Sequence, residues 1–182
     1  MHLLLVRHGE AAAGWGADAD PGLSAIGQMQ AQELADAVVR EQRRPIVTSP
    51  LRRCRETAQP LAAAWDVTPV IEPRVGEIEA PDPDLAARAE WLRDLLPRSW
   101  HEVDAEVRAW RDDVVSYLTS LTEDTVVFTH FVAINAAIGA ATGDDRIVCR
   151  RAGNCSRTLL RVEDGRLVLV DEPAEPARVE VL

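Results

Sequence analysis

The sequence predicts an α/β fold, and three observations lead there. Short runs of apolar residues alternate with longer segments whose apolar residues recur at helical spacing. Two of those runs deliver a histidine: "LLLV" in "LLLVRHGE" at residues 3–10 runs into Arg7 and His8, and the β-branched "TVVFTH" at 125–130 ends in His130. Continuous apolar runs suit buried strands, and in α/β sheets ligands bind beyond the carboxyl ends of the strands.

The first strand comes from "LLLV". Leu23, Ile26, Gln30, Leu34 and Val38 then share a helical face behind a capping Ser24, which predicts a helix over residues 24–42. "PIVTS" is a second strand. Ser49 is placed to cap the next helix with Pro50 at its first position, and Cys54, Thr57, Ala58, Leu61 and Trp65 form its apolar face, leaving Arg52, Arg53 and Arg55 off it. "PVIE" at 69–72 predicts a third strand, and "EIEAPDPD" an acidic loop.

Leu85, Trp91, Leu92, Leu95 and Leu96 predict a short helix. Val103, Val107, Trp110, Val114, Leu118 and Leu121 predict a longer amphipathic one, the two together covering part of the site. "TVVFTH" is the fourth strand and "FVAINAAIGAA" the helix after it. "SRTLLRVEDGRLVLVDE" reads as two strands joined at Asp164 and Gly165, for six in all, and residues 172–182 as an extended tail.

Composition narrows the function classes. With 182 residues, 47% of them apolar, the chain can bury one core, so one domain over 1–182 is expected. No run approaches a bilayer span, and "LLLV" lacks the flanks of a signal peptide, which predicts a cytoplasmic protein without a membrane partner. Cys54, Cys149 and Cys155 form no C-x-x-C, so neither a disulfide framework nor a zinc knuckle is suggested. A formal charge of −10 argues against nucleic acid as a partner. All 20 Lys-plus-Arg positions are arginine, which excludes P-loop, Schiff-base and pyridoxal lysine chemistry.

Two strand-end histidines with arginines nearby suit phosphoryl transfer. One neutral imidazole attacks phosphorus while arginine forks and the second imidazole neutralise the equatorial oxygens. The helix N-termini after Ser49 and His130 would add backbone N–H donors, and neither metal nor cofactor is needed. A cysteine-based site would need C-x5-R on a phosphate loop, but the only such spacing, Cys155 to Arg161, falls in a strand pattern. "DAD" at 18–20 follows a Gly- and Ala-rich loop and reads as a mobile rim, not an aspartate nucleophile.

"VRHGE" at 6–10, "LSAIGQMQA" at 23–31, "TSPLRRCRETA" at 48–58, "VGE" at 75–77, "FTH" at 128–130 and "NCS" at 154–156 resemble, in order, the motifs of the histidine phosphatase superfamily, the phosphoglycerate mutase-like proteins. The resemblance covers essentially the whole chain. It implies a three-layer α/β/α sandwich around a mostly parallel mixed sheet. It also implies His8 as the phosphate-accepting nucleophile, Arg7 and Arg53 as phosphate clamps, Glu77 as the acid and His130 as the second histidine. Phe131 stands where the family usually has glycine; its N–H can still serve the phosphate, but its ring narrows the pocket. Asn135 stands where the family often has arginine.

Glu72 and Glu79 compete with Glu77 for the acid role, which needs a pKa raised by burial or by the like charge of Glu79. His2 and His101 lie outside any motif and are read as structural. The resulting expectation is a metal-independent phosphomonoester phosphatase with a phosphohistidine intermediate. Its substrate would be a small phosphorylated molecule or phosphohistidine on a partner protein. A mutase would need a larger cap than the segment between Glu77 and His130 provides. A non-catalytic phosphoryl-sensing module would not need the intact set of His8, His130, Arg7 and Arg53.

Overall fold

The structure is a computed structural model describing residues 1–14, 16–82 and 84–170. Strands β1 (His2–Arg7), β2 (Ile46–Thr48), β3 (Val70–Ile71), β4 (Thr125–Thr129), β5 (Arg157–Glu163) and β6 (Arg166–Leu169) form one sheet in the order β3-β2-β4-β1-β5-β6. The pairs β3/β2, β2/β4 and β4/β1 are parallel, while β1/β5 and β5/β6 are antiparallel. This is the mixed, mostly parallel sheet expected. The predicted tail at 172–182 lies outside the described residues.

Period-two alternation along the buried strands builds the layers. Leu3 and Leu5 of β1 join Val127 of β4 against helices α4 (Ala105–Ser120) and α5 (Phe131–Thr142). Leu4 and Val6 point the other way, with Val126 and Phe128, onto α1 (Ala25–Val38) and α2 (Arg52–Trp65). Full burial of a side chain such as Phe128 contributes about 1.5–3 kcal/mol, so this double-sided pattern leaves little freedom of register. A third cluster sets α3 (Leu85–Leu95), through Leu92 and Leu95, beside Ile78 and against Val132 and Ala136 of α5. The cover over the carboxyl edge is therefore held by its own apolar core. At the opposite edge of the sheet the hairpin turns on Asp164 and Gly165, both at positive φ, as the two-residue turn required.

Two helices differ from expectation. The first ends at Val38, not residue 42, and its buried face is Gly27, Ala31, Leu34, Ala35 and Val38, leaving Ile26 half exposed. Small residues form this face because the loop after β1 crosses it closely. A Cβ on Gly27 would collide with the Glu10 carbonyl, and one on Gly9 would lie 2.7 Å from the Gly27 carbonyl oxygen. Ser24 does cap this helix, accepting from Gly27 N at 3.0 Å.

The second helix starts at Arg52 with Leu51 as its N-cap, so Ser49 does not cap it. Ser49 instead prolongs β2, its N–H reaching Phe128 O at 3.0 Å. The missing cap comes from afar: Asp20 Oδ1 accepts from Arg52 N at 2.7 Å, which ties the 18–20 segment to the start of the helix.

Candidate active site

Parallel pairing brings the carboxyl ends of β1, β2 and β4 to one edge, and with them His8, Ser49 and His130. His8 N–H continues the ladder to Thr129 O at 3.1 Å. The two imidazole centroids are 5.2 Å apart at 59°. Separated by 122 positions in sequence, the two histidines meet because their strands are neighbours.

His8 is buried, and its Nδ1 lies 2.7 Å from the Gly9 carbonyl oxygen. A carbonyl only accepts, so Nδ1 carries the proton and Nε2 keeps its lone pair. Burial, reinforced by the charges of Arg53 and Arg7, pushes the His8 pKa down to about 3 although the Gly9 bond resists, so the ring is neutral at pH 7. Gly9 is itself fixed, its N–H donating to Thr57 Oγ1 at 3.0 Å, while that hydroxyl donates to Arg53 O at 2.6 Å. One threonine thus connects the β1 turn to the first turn of α2.

Arg53 is 4% exposed, so it belongs to the buried side of α2 and not off it, whereas Arg52 and Arg55 are exposed. At its first turn the helix overhangs the edge of the sheet, where a polar group is accommodated. Arg53 Nη2 lies 3.2 Å from His130 Nδ1. Arg52 turns outward to Glu56 at 2.6 Å, a surface pair of little consequence for stability. Arg7 donates from Nη1 to Ala152 O at 2.6 Å, has its guanidinium 5.2 Å from the Phe131 ring, and keeps a buried Nε without a hydrogen-bond partner. Phe131 therefore braces Arg7 through its ring.

The three competing glutamates differ in their surroundings. Glu77 is buried, Glu79 is exposed, and Glu72 is engaged with Arg74 at 2.8 Å. Burial pushes the Glu77 carboxyl up to about 7, against N–H bonds from Val132 at 3.2 Å and Ile78 at 3.1 Å and the charges of Arg53 and Arg7. The cause is burial, not the neighbouring charge of Glu79. At the start of each of the helices α2 and α5 one N–H is engaged within the protein. The Arg52 N–H of α2 serves Asp20, and the Val132 N–H of α5 serves Glu77.

The raised Glu77 pKa makes a stability prediction. With a folded value near 7 against an ordinary 4.5, the favourable contribution is complete below about pH 4.5 and lost as pH rises through 7, on the order of 3 kcal/mol. His8 and His130, both depressed, act oppositely, their contribution being lost as pH falls below 6.5. Urea unfolding of the protein and its Glu77→Gln variant between about pH 5 and pH 8 isolates the carboxyl, since the histidines are common to both. The variant should gain relative stability as pH rises; a constant difference would mean that Glu77 ionises normally.

Asn135 has a packing role. Its Oδ1 accepts from Cys149 N at 2.8 Å and Arg150 N at 2.7 Å, and its Nδ2 donates to Phe131 O at 2.9 Å, pinning the 149–150 segment to α5. His2 and His101 lie apart from the site, against Asp124 and Asp145. Sequence reasoning missed two contributors. Ser49 reaches His130 at 2.7 Å, and Arg88 of α3 lends its charge to the surroundings of both Arg53 and His130. A helix-face reading could not assign Arg88, because Arg53, His130 and Ala19, the groups it stands near, are distant in sequence.

Among the described residues no group of three or more His, Cys, Asp or Glu could hold a metal ion, and no helix is long and apolar enough to cross a membrane. The profile of the histidine phosphatase superfamily (branch 1) matches residues 3–172. A sequence search of curated proteins finds no match. Among solved structures, a mycobacterial glucosyl-3-phosphoglycerate phosphatase is similar at TM-score 0.72 and 24% identity, covering 96% of this chain and 99% of that one. A phosphoserine phosphatase from Entamoeba histolytica is similar at TM-score 0.73 and 21% identity, covering 96% and 98%. Mycobacterial hydrolase 1 follows at 0.67 and 23%, covering 87% and 90%. At these identities the likeness is one of fold.

Proposed function

Because the chain belongs to the histidine phosphatase superfamily, we propose that it hydrolyses phosphomonoesters through a phosphohistidine intermediate, with the chain acting as one domain. The observation that carries this reading is the locked tautomer of His8: Nδ1 is held by the Gly9 carbonyl, which leaves an unprotonated Nε2 on a neutral ring close to the charges of Arg53 and Arg7. Nε2 attacks phosphorus, the N–P bond forming as the P–O bond to the leaving group breaks. Arg7, Arg53 and His130 hold the equatorial oxygens, whose charge they stabilise more strongly as it redistributes in the transition state. Glu77, protonated in a substantial fraction of molecules at neutral pH, gives its proton to the departing oxygen. The resulting carboxylate then takes a proton from water as that water cleaves the N–P bond, which restores His8 and Glu77. No step requires a metal.

Substrates are small phosphorylated molecules or phosphohistidine on a partner protein, in a cytoplasmic setting. The acidity of the chain disfavours nucleic acid and anionic membrane surfaces. Phosphoserine and phosphoglycerate esters head the panel because they are named for the similar structures.

The test is a hydrolysis screen over phosphomonoesters and phosphohistidine with chelator present throughout. Turnover of at least one substrate is expected; no turnover of any, or turnover only without chelator, would refute the reading. The same panel tests Glu77. Glu77→Gln should slow an alkyl phosphate about 100-fold and p-nitrophenyl phosphate little, since a good leaving group departs without a proton. Glu72→Gln and Glu79→Gln should affect both substrates little. Equal losses on both substrates in Glu77→Gln would move the acid elsewhere.

A further inference from the structure

The surroundings of His130 contain a hydroxyl and a thiol that the mechanism above does not use. His130 is fully buried, with Nδ1 3.2 Å from Arg53 Nη2 and Nε2 2.7 Å from Ser49 Oγ. A guanidinium can only donate. Nδ1 is therefore the acceptor, the ring proton sits on Nε2, and the Ser49 oxygen accepts it. That oxygen also accepts from Leu51 N at 3.2 Å, so both its lone pairs are used. The sulfur of Cys54, 3.3 Å from the same His130 Nε2 and itself donating its thiol proton to Thr129 O at 3.3 Å, is the neighbour left to take the hydroxyl's own proton.

This arrangement suits the resting pocket and not the loaded one. When a phosphoryl oxygen enters beside Arg53, Arg53 donates to it, and a bare Nδ1 would turn its lone pair toward an oxyanion. His130 can help only with a proton on Nδ1. Gaining a second proton would place an imidazolium among Arg7 and the His8 turn of β1, Arg53 of α2 and Arg88 of α3, whose charges together with burial hold the ring neutral in the empty site. A change of tautomer avoids that charge.

We propose that Ser49 is the positioning residue that lets His130 change tautomer when a phosphoryl group binds, its hydroxyl turning from the Cys54 sulfur to donate to Nε2 while Nδ1–H donates to the ligand. One proton leaves Nε2 and one arrives at Nδ1, both exchanged with solvent, so the ring stays neutral throughout. Cys54 is the resting acceptor that keeps the hydroxyl satisfied in the empty site. The inference rests on the phosphatase reading for its purpose, but it is testable by binding alone.

The experiment is 15N NMR of histidine-labelled protein near pH 7, with and without inorganic phosphate or orthovanadate. With four histidines in the chain, His130 can be assigned by loss of its signals in His130→Gln. Without ligand the proton should be on Nε2. With ligand it should be on Nδ1, with Nε2 unprotonated. An unchanged tautomer, or protons on both nitrogens, would overturn the proposal in the wild-type protein without recourse to any variant. Ser49→Ala should bind orthovanadate about 10-fold more weakly at pH 7, with affinity recovering as pH falls because the ring must then gain a proton; Ser49→Thr should restore both affinity and tautomer change. Wild-type affinity and pH dependence in Ser49→Ala would equally refute it. Failure to hydrolyse any ester would count against the phosphatase reading and leave these binding results to be judged separately.

Discussion

His8→Ala is expected to abolish covalent labelling and to lower turnover by on the order of 10⁴-fold or more, because the group removed is the nucleophile of the proposed intermediate. A quench that avoids acid, after brief mixing with labelled substrate, should trap one phosphoryl group on the wild-type protein. That linkage should be acid-labile and base-stable, as expected of a phosphoramidate and not of an ester of serine or threonine. The variant should remain folded, since His8 is a buried imidazole at the rim of the sheet and not a member of either apolar layer. Label that persists in His8→Ala would transfer the role to His130, the other imidazole in reach at 5.2 Å.

Arg53→Ala should cost about 10²- to 10³-fold in turnover, or roughly 3–4 kcal/mol of transition-state stabilisation. Its fork is buried at the pocket and contacts His130, so the variant loses both a cation on the phosphoryl oxygens and the donor that sets the resting tautomer. Arg53→Lys should recover only part of this, because an ammonium keeps the charge and loses the planar fork. Arg52→Ala, one position away, should be nearly neutral in turnover, as that side chain faces solvent and Glu56. Thermal unfolding of all three variants separates folding from chemistry. Damage from Arg52→Ala with a harmless Arg53→Ala would mean that the first turn of α2 is rotated from the arrangement described.

How much of this was legible beforehand differs by feature. The six strands, the turn at Asp164–Gly165 and the helix after His130 follow from local pattern, because each is fixed by its own residues. The face of the first helix differs from its apolar pattern, since Gly27 carries no apolar signal yet forms the contact with the loop after β1. Serine followed by proline is a local capping signal, which points to Ser49 as the start of the second helix. The sheet claimed Ser49 first, and Asp20, 32 positions before Arg52, supplied the cap.

The candidate site divides in the same way. By itself the sequence nominates His8, His130, Arg7, Arg53 and Glu77, the two histidines by the strand ends that deliver them and the other three through the ordered motifs that resemble the family. Only the tertiary structure decided their states. Glu77 was separated from Glu72 and Glu79 by burial, His8 was made neutral by burial and two arginines with its tautomer set by one carbonyl, and Ser49, Cys54 and Arg88 were drawn in by the packing of β2, α2 and α3 around one edge. Protonation depends on dielectric surroundings and on partners dozens of positions away along the chain, and those quantities come into existence only when the sheet and its covering helices close over the site.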